Sequence, residues 1–296
     1  MEVNAADISF LRKQIINDIF RGLGPRAQGF PRKFMWPIVW PPAHEFSKLA
    51  ACFDEFVEHY GNLCDAMKQI LPRFVSDVNV SGAAHVPIDG PLLIVSNHPG
   101  TFDELVIASN LPRKDLKIVA EGFPFLSNLP NTREHLIFIN ENINERVFAI
   151  RDIIRRLEEG LSLLIFPSGT LEPDPAILPG AEDSVSNWSH SLDLILRKVP
   201  QTQVQVTIVS GVLSKSALNH PFSKLFKDFD QRQRVAEAIQ IMQQLFSPGK
   251  YNLVPKLTFE KPFSIDKHYV DNSKKTPMWD TITQKAKNLL EYHSRI

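Results

Sequence analysis

Near the start of the chain, hydrophobic positions recur at helical spacing. Ile8, Leu11, Ile15, Ile16, Ile19 and Phe20 mark one face of an amphipathic helix over 8–23, and Gly22 and Gly24 stop the pattern. A second helical pattern covers 45–71, with Phe46, Leu49, Cys52, Phe53, Phe56, Val57, Leu63, Met67 and Ile70 on its apolar side and Pro72 at its end. Between the two, 29–42 is so dense in proline and aromatic residues that no regular element is expected there.

After Pro72 the pattern changes. Short β-branched runs at 74–80, 92–96, 117–120, 135–139, 161–166, 203–210 and 253–259 read as strands. Amphipathic stretches at 102–110, 145–159, 187–198, 230–245 and 279–293 read as helices between and after them. Strands alternating with helices predict an α/β fold, a mixed and largely parallel sheet flanked by helices, behind an N-terminal helical extension. The expected division is an extension over 1–74 and an α/β domain over 75–296.

Composition narrows the class. With 296 residues, 43% hydrophobic and 22% charged, the chain can bury a sizeable core and is neither disordered nor a disulfide scaffold. Lys and Arg match Asp and Glu at 33 each, so no global field draws the chain to nucleic acid, and none is expected as a partner. Cys52 and Cys64 fit no metal spacing and no disulfide framework, so a cytoplasmic location is expected. The longest apolar runs fall well short of the ~18–20 residues of a membrane-spanning helix, and the N-terminus lacks a signal-peptide pattern.

The chemistry concentrates in two strand ends. In 91–104, PLLIVSNHPGTFDE, an apolar strand ends in a polar turn that puts His98 at the strand's C-terminal edge, where ligands of open α/β sheets gather. Pro99 disfavours helical backbone at His98. Thr101 and Glu104 match a capping box for a helix starting at Phe102, with Asp103 in its first turn. On one continuous helix, positions five apart would point ~140° away from each other. His98 and Asp103 therefore meet only if His98 precedes the helix and the turn folds it back. The carboxylate would then fix the imidazole tautomer while the other ring nitrogen takes a proton from a hydroxyl or thiol. The plainer alternative is a helix-favoured Asp in the first turn and a structural His.

The second strand end is 163–173, LLIFPSGTLEP. Backbone N–H groups around 168–170 could hold an oxyanion or a phosphate, with the Thr170 hydroxyl as a further donor. An ordinary turn without a ligand is the alternative.

Taken together, these segments resemble a known pattern. Residues 97–103, NHPGTFD, resemble the NHx4D signature of the glycerolipid acyltransferase superfamily, the 1-acylglycerol-3-phosphate acyltransferase type, and 166–170, FPSGT, resembles its FPEGT block. The lead-in at 78–87, VNVSGAAHVP, and the strand LIFIN at 136–140 fall in the matching order. The resemblance covers about 78–210 and implies acyl transfer from acyl-CoA or acyl carrier protein to a lipid-like alcohol. It implies His98 as general base and Asp103 as its partner, and it places Asn97, Asn140, Phe166, Pro167, Ser168, Gly169 and Thr170 on the substrate side. Backbone N–H groups near Gly169 and Thr170 would meet the oxyanion. Neither cofactor nor metal is implied.

Three positions depart from that pattern. Ser168 stands for the glutamate of FPEGT, Leu171 for the arginine after it, and Asn140 for the arginine closing the LIFI block. Two missing arginines weaken the case for a phosphate-bearing acceptor. Arg133, Arg146 and Lys117 are the neighbours able to compensate. A thioester hydrolase and a degenerate, non-catalytic lipid-binding module are the rival readings.

One further segment bears on location. Over 1–40, six basic residues (Arg12, Lys13, Arg21, Arg26, Arg32, Lys33) stand against three acidic ones (Glu2, Asp7, Asp18), among Phe30, Phe34, Trp36 and Trp40. That mixture suits a peripheral membrane contact, and a helical layer packed on the core suits it equally.

Overall fold

The computed structural model describes residues 5–22, 32–140, 142–264 and 278–295. Eight strands form one sheet: β1 (Asn79–Ser81), β2 (Leu92–Ser96), β3 (Lys117–Glu121), β4 (Leu136–Ile139), β5 (Ser162–Ile165), β6 (Gln203–Ser210), β7 (Lys256–Phe259) and β8 (Phe263–Ser264). The order is β1-β7-β6-β2-β5-β3-β4, and β8 pairs with β6. Strands β2 to β6 run parallel, whereas β7 and β8 lie antiparallel to β6. The expected mixed, largely parallel α/β sheet is the observed one.

Because β2 is central, both of its faces are covered, and its sequence is buried throughout and apolar up to Ser96. Leu93 and Val95 point into a core with Ile153, Leu157, Trp188, Leu192 and Ile282. Leu92 and Ile94 point into the opposite core with Val106, Ile107, Leu63 and Met67. Those two cores carry helices α6 (Ile143–Glu158), α8 (Ser191–Lys198) and α12 (Met278–Arg295) on one side, and α3 (Leu63–Ile70) and α4 (Asp103–Ser109) on the other. Helix α3 shares its core with the central strand, so packing continues across residue 74.

Two expectations near the N-terminus are corrected. Helix α2 runs from Arg32 to Tyr60 through Pro37, Pro41 and Pro42, where proline density predicted no regular element. Each proline removes a backbone donor, and the packing of Val39 and Ala43 against Ile15 and Ile16 of α1 (Ala5–Gly22) offsets that loss. The second correction is a break in the helix predicted over 45–71. Gly61, at φ +67°, ends α2, and Asn62 caps α3 by accepting the Asp65 N–H.

The helical layer is fastened to the domain by Asp54 of α2, whose carboxylate accepts the Thr132 N–H and hydroxyl, each at 2.7 Å. Trp40 faces inward, stacked on His44 with the Arg12 guanidinium over its ring, while Trp36 stays half exposed. Gly24, Arg26 and Phe30 lie outside the described residues, as do the side chains of Arg21, Arg32, Lys33 and Phe34.

The strand expected over 74–80 shortens to 79–81. Phe74 leaves the sheet to stack on Phe102, with ring centroids 4.0 Å apart.

Candidate active site

The turn after β2 brings His98 back onto the first turn of α4. His98 Nδ1 lies 2.8 Å from Asp103 Oδ2. The Asp103 side chain is fully buried, and the His98 side chain is 25% exposed. Asp103 Oδ2 also accepts the Gly100 N–H at 3.3 Å, and Oδ1 accepts the Glu104 N–H at 2.8 Å. With the carboxylate on Nδ1, that nitrogen carries the proton and Nε2 is left as the basic, outward nitrogen. The turn is tight at Gly100, where a Cβ would sit 2.9 Å from Val212 Cγ2 and force that buried side chain to shift.

The expected capping box does not form. Phe102 is the N-cap and makes no side-chain cap bond. Thr101 turns instead to donate its hydroxyl to Glu237 Oε2 at 3.1 Å.

Sequence reasoning missed the support beneath His98. Glu172 Oε2 accepts the His98 N–H at 2.8 Å, and the Glu172 N–H donates to the His98 carbonyl at 2.7 Å. Its other carboxylate oxygen accepts the indole N–H of buried Trp188 at 2.9 Å. From α11 (Phe229–Phe246), the Gln233 amide donates to the carbonyls of Pro99 and Glu172. The only sequence signal for this clamp was the acidic residue just after the FPSGT block.

Burial pushes every nearby carboxyl upward. Asp103 is raised to about 7 and Glu237 to about 8. Glu172 is raised by burial against the opposing indole bond, and Glu104 well above its ordinary value by burial and then by the charge of Asp103.

The FPSGT block lies beside the imidazole but divides its work. Phe166 stacks on the His98 ring, with centroids 4.4 Å apart. Pro167 is buried and its carbonyl accepts the Ser189 N–H. The Ser168 hydroxyl donates to the Thr170 carbonyl at 2.7 Å. The Gly169 N–H closes the turn on the Phe166 carbonyl, so it is not the free oxyanion donor expected of it. Thr170 is exposed, and its N–H lies 3.5 Å from the Ser168 hydroxyl, at the limit of a hydrogen bond.

Two residues placed on the substrate side stand apart. Asn97 is buried, and its amide both donates to the Val209 carbonyl and accepts the Val209 N–H, which extends the β2–β6 pairing. Asn140 sits three strands from β2 at the end of β4, exposed, with its amide on the Glu145 carboxylate. Among the compensating bases, Arg133 pairs with Glu134 and Lys117 donates to the Glu134 carbonyl. Arg146 donates Nε–H to the Asn140 carbonyl at 3.3 Å, which puts a guanidinium beside position 140. A groove of about 380 Å³ between α2 and α11, lined by Ile38, Pro41, Pro42, Met242 and Phe246, includes no residue of this site.

Comparison with known proteins agrees with the motifs. Residues 77–214, a little under half of the chain and containing both motif blocks, match the family model described as Acyltransferase. No curated protein matches the chain by sequence. Among solved structures, the 1-acyl-sn-glycerophosphate (LPA) acyltransferase PlsC from Thermotoga maritima aligns at 16% identity with a TM-score of 0.43, covering 97% of this chain and 94% of that one. Over its segment 77–214, which holds both motif blocks and the His98–Asp103 pair, the chain is similar to the Acyltransferase family.

Proposed function

We propose that this chain is an acyltransferase that moves a fatty acyl group from acyl-CoA or acyl carrier protein to the hydroxyl of a glycerolipid or lysophospholipid-type acceptor, with His98 as general base. The observation that carries the reading is the 2.8 Å pair between His98 Nδ1 and the fully buried Asp103 carboxylate, on a ring still open to solvent. Nε2 takes the acceptor's hydroxyl proton as its oxygen attacks the thioester carbonyl. The tetrahedral intermediate collapses, the C–S bond breaks, and the imidazolium returns the proton to the leaving thiolate. The Asp103 carboxylate stabilises the imidazolium, and the Thr170 N–H and hydroxyl are the donors left to meet the oxyanion. No cofactor or metal enters this scheme.

The missing arginines at 140 and 171 support an acceptor without a terminal phosphomonoester. We place the chain in the cytoplasm, in peripheral contact with a membrane. No helix among the described residues is long and apolar enough to cross one.

The test is a donor-by-acceptor screen of the purified chain, following thiol release and identifying products. Acceptor-dependent thiol release with an acylated product is expected. Free fatty acid released at a rate that added lysolipid does not change would make the enzyme a thioester hydrolase, and no turnover with any donor would leave a lipid-binding module.

A further inference from the structure

We propose that the C-terminal edge of the sheet docks on the surface of an anionic lipid bilayer through two apolar and basic patches on either side of His98. The proposal rests on the lipid acceptor proposed above. The first patch is α10 (Pro221–Lys224) and the start of α11, where Phe222, Leu225 and Phe229 are 65%, 73% and 60% exposed beside exposed Lys224 and Lys227. The second is the first turns of α6, where Ile143 and Phe148 are 78% and 64% exposed beside exposed Arg146 and Arg151. The Arg151 guanidinium lies 5.9 Å from the Phe148 ring centroid.

Both patches belong to the edge that carries His98. The chain leaves β6, the neighbour of β2, at Ser210 and, after one short helical turn over Lys215–Leu218, enters α10 at Pro221. Gln233, one turn along α11 from Phe229, donates to the Pro99 carbonyl next to His98. On the other side, α6 follows β4, three strands from β2, or about 14 Å at the usual strand spacing.

The arrangement selects the occupant. Neither patch is a groove that one ligand would fill, and the catalytic turn lies between them, so the partner must be an extended surface meeting both. Aromatic and aliphatic side chains interleaved with Lys and Arg suit the boundary between headgroups and acyl chains. Charge agrees, since 221–229 and 143–151 each carry two basic residues against one acidic. Of the acidic pair, Asp228 caps α11 through the Gln231 N–H and Glu145 binds Asn140. Docked this way, Nε2 of His98 faces the layer in which a lipid acceptor resides.

The experiment is co-sedimentation of the full chain with vesicles of phosphatidylcholine, with and without phosphatidylglycerol. It includes a Phe222→Ser/Leu225→Ser/Phe229→Ser variant and an Ile143→Ser/Phe148→Ser variant. Wild type should bind the anionic vesicles, less so as salt rises. Each variant should unfold at the wild-type temperature, and at about one power of ten for each partly inserted side chain the triple variant should bind roughly a thousandfold and the double variant roughly a hundredfold more weakly. Acyl transfer to a vesicle-embedded acceptor should fall in step, while transfer between water-soluble short-chain substrates stays unchanged. Variants that sediment like wild type would overturn the proposal, as would a wild type that binds neither vesicle, or patches that hold a dimer the variants dissolve. Normal vesicle binding without acyl transfer in the soluble assay would leave the docking surface standing and refute the proposed function.

Discussion

Glu172 grips His98 by both backbone groups, accepting its N–H at 2.8 Å and donating to its carbonyl at 2.7 Å. The imidazole is thus held from behind by the strand end that also supplies Phe166 to its face. In Glu172→Gln, one side-chain oxygen becomes a donor and must face either the His98 N–H or the Trp188 indole N–H. We expect kcat to fall about tenfold to a hundredfold with KM little changed, because a misplaced base weakens the chemical step rather than binding. Trp188→Phe, which removes only the indole donor, should give a smaller loss. A rise in KM with unchanged kcat would mean that Glu172 does not position the base.

Asp103 should govern the pH dependence. Burial raises it to about 7, so below that pH it is protonated and loses its charge stabilisation of the imidazolium. Turnover should therefore climb as pH rises through about 7. Asp103→Asn would place an amide donor against Nδ1, favour the tautomer with the proton on Nε2, and remove the base. A loss of ~10²–10⁴-fold in kcat with an intact fold is expected, and kcat of the variant near wild type would contradict the dyad.

Glu237 makes a separate prediction about stability. Its carboxyl is raised from 4.5 to about 8 by burial. Between those values the unfolded chain has lost the proton and the folded chain keeps it, so this group makes stability fall as pH rises from 4.5 to about 8. Glu237→Gln keeps the shape and stays neutral. Relative to wild type, the variant should gain of the order of a few kcal/mol between about pH 5 and about pH 9, measured by denaturant unfolding. An unchanged difference across that range would show that Glu237 does not titrate there.

These relationships were unevenly legible in the sequence. The strands around the site follow from apolar runs, and the His98–Asp103 pairing follows from a strand end, Pro99 and a helix start close together. The Glu172 clamp was not legible, because its partners lie 74 and 16 residues away and meet only when two strand ends come side by side. Thr101 and Glu104 spelled a capping box, yet the Glu237 carboxylate competed successfully for the Thr101 hydroxyl across 136 residues. Asn97 looked like a ligand group and proved to be a backbone partner of Val209. In α2, tertiary packing overrode proline, an outcome local propensity cannot anticipate.

Acceptor choice should follow the arginines. Two absent charge-assisted contacts, at ~1.5–3 kcal/mol each, amount to about one to two powers of ten per contact. An uncharged monoacylglycerol or a lysophospholipid with a larger headgroup should give a higher kcat/KM than lysophosphatidic acid, and Asn140→Arg should narrow the gap. A preference for lysophosphatidic acid that Arg146→Ala abolishes would reverse this reading and give the phosphate to the guanidinium beside position 140.

The most direct test of the account is thiol release by His98→Ala with an acceptor that wild type uses. Loss of ~10²–10⁴-fold or more, in a protein with the wild-type unfolding temperature, is the predicted result for removing a positioned base. Near-normal turnover by that variant would contradict the assignment of His98 as the base and the mechanism built on it.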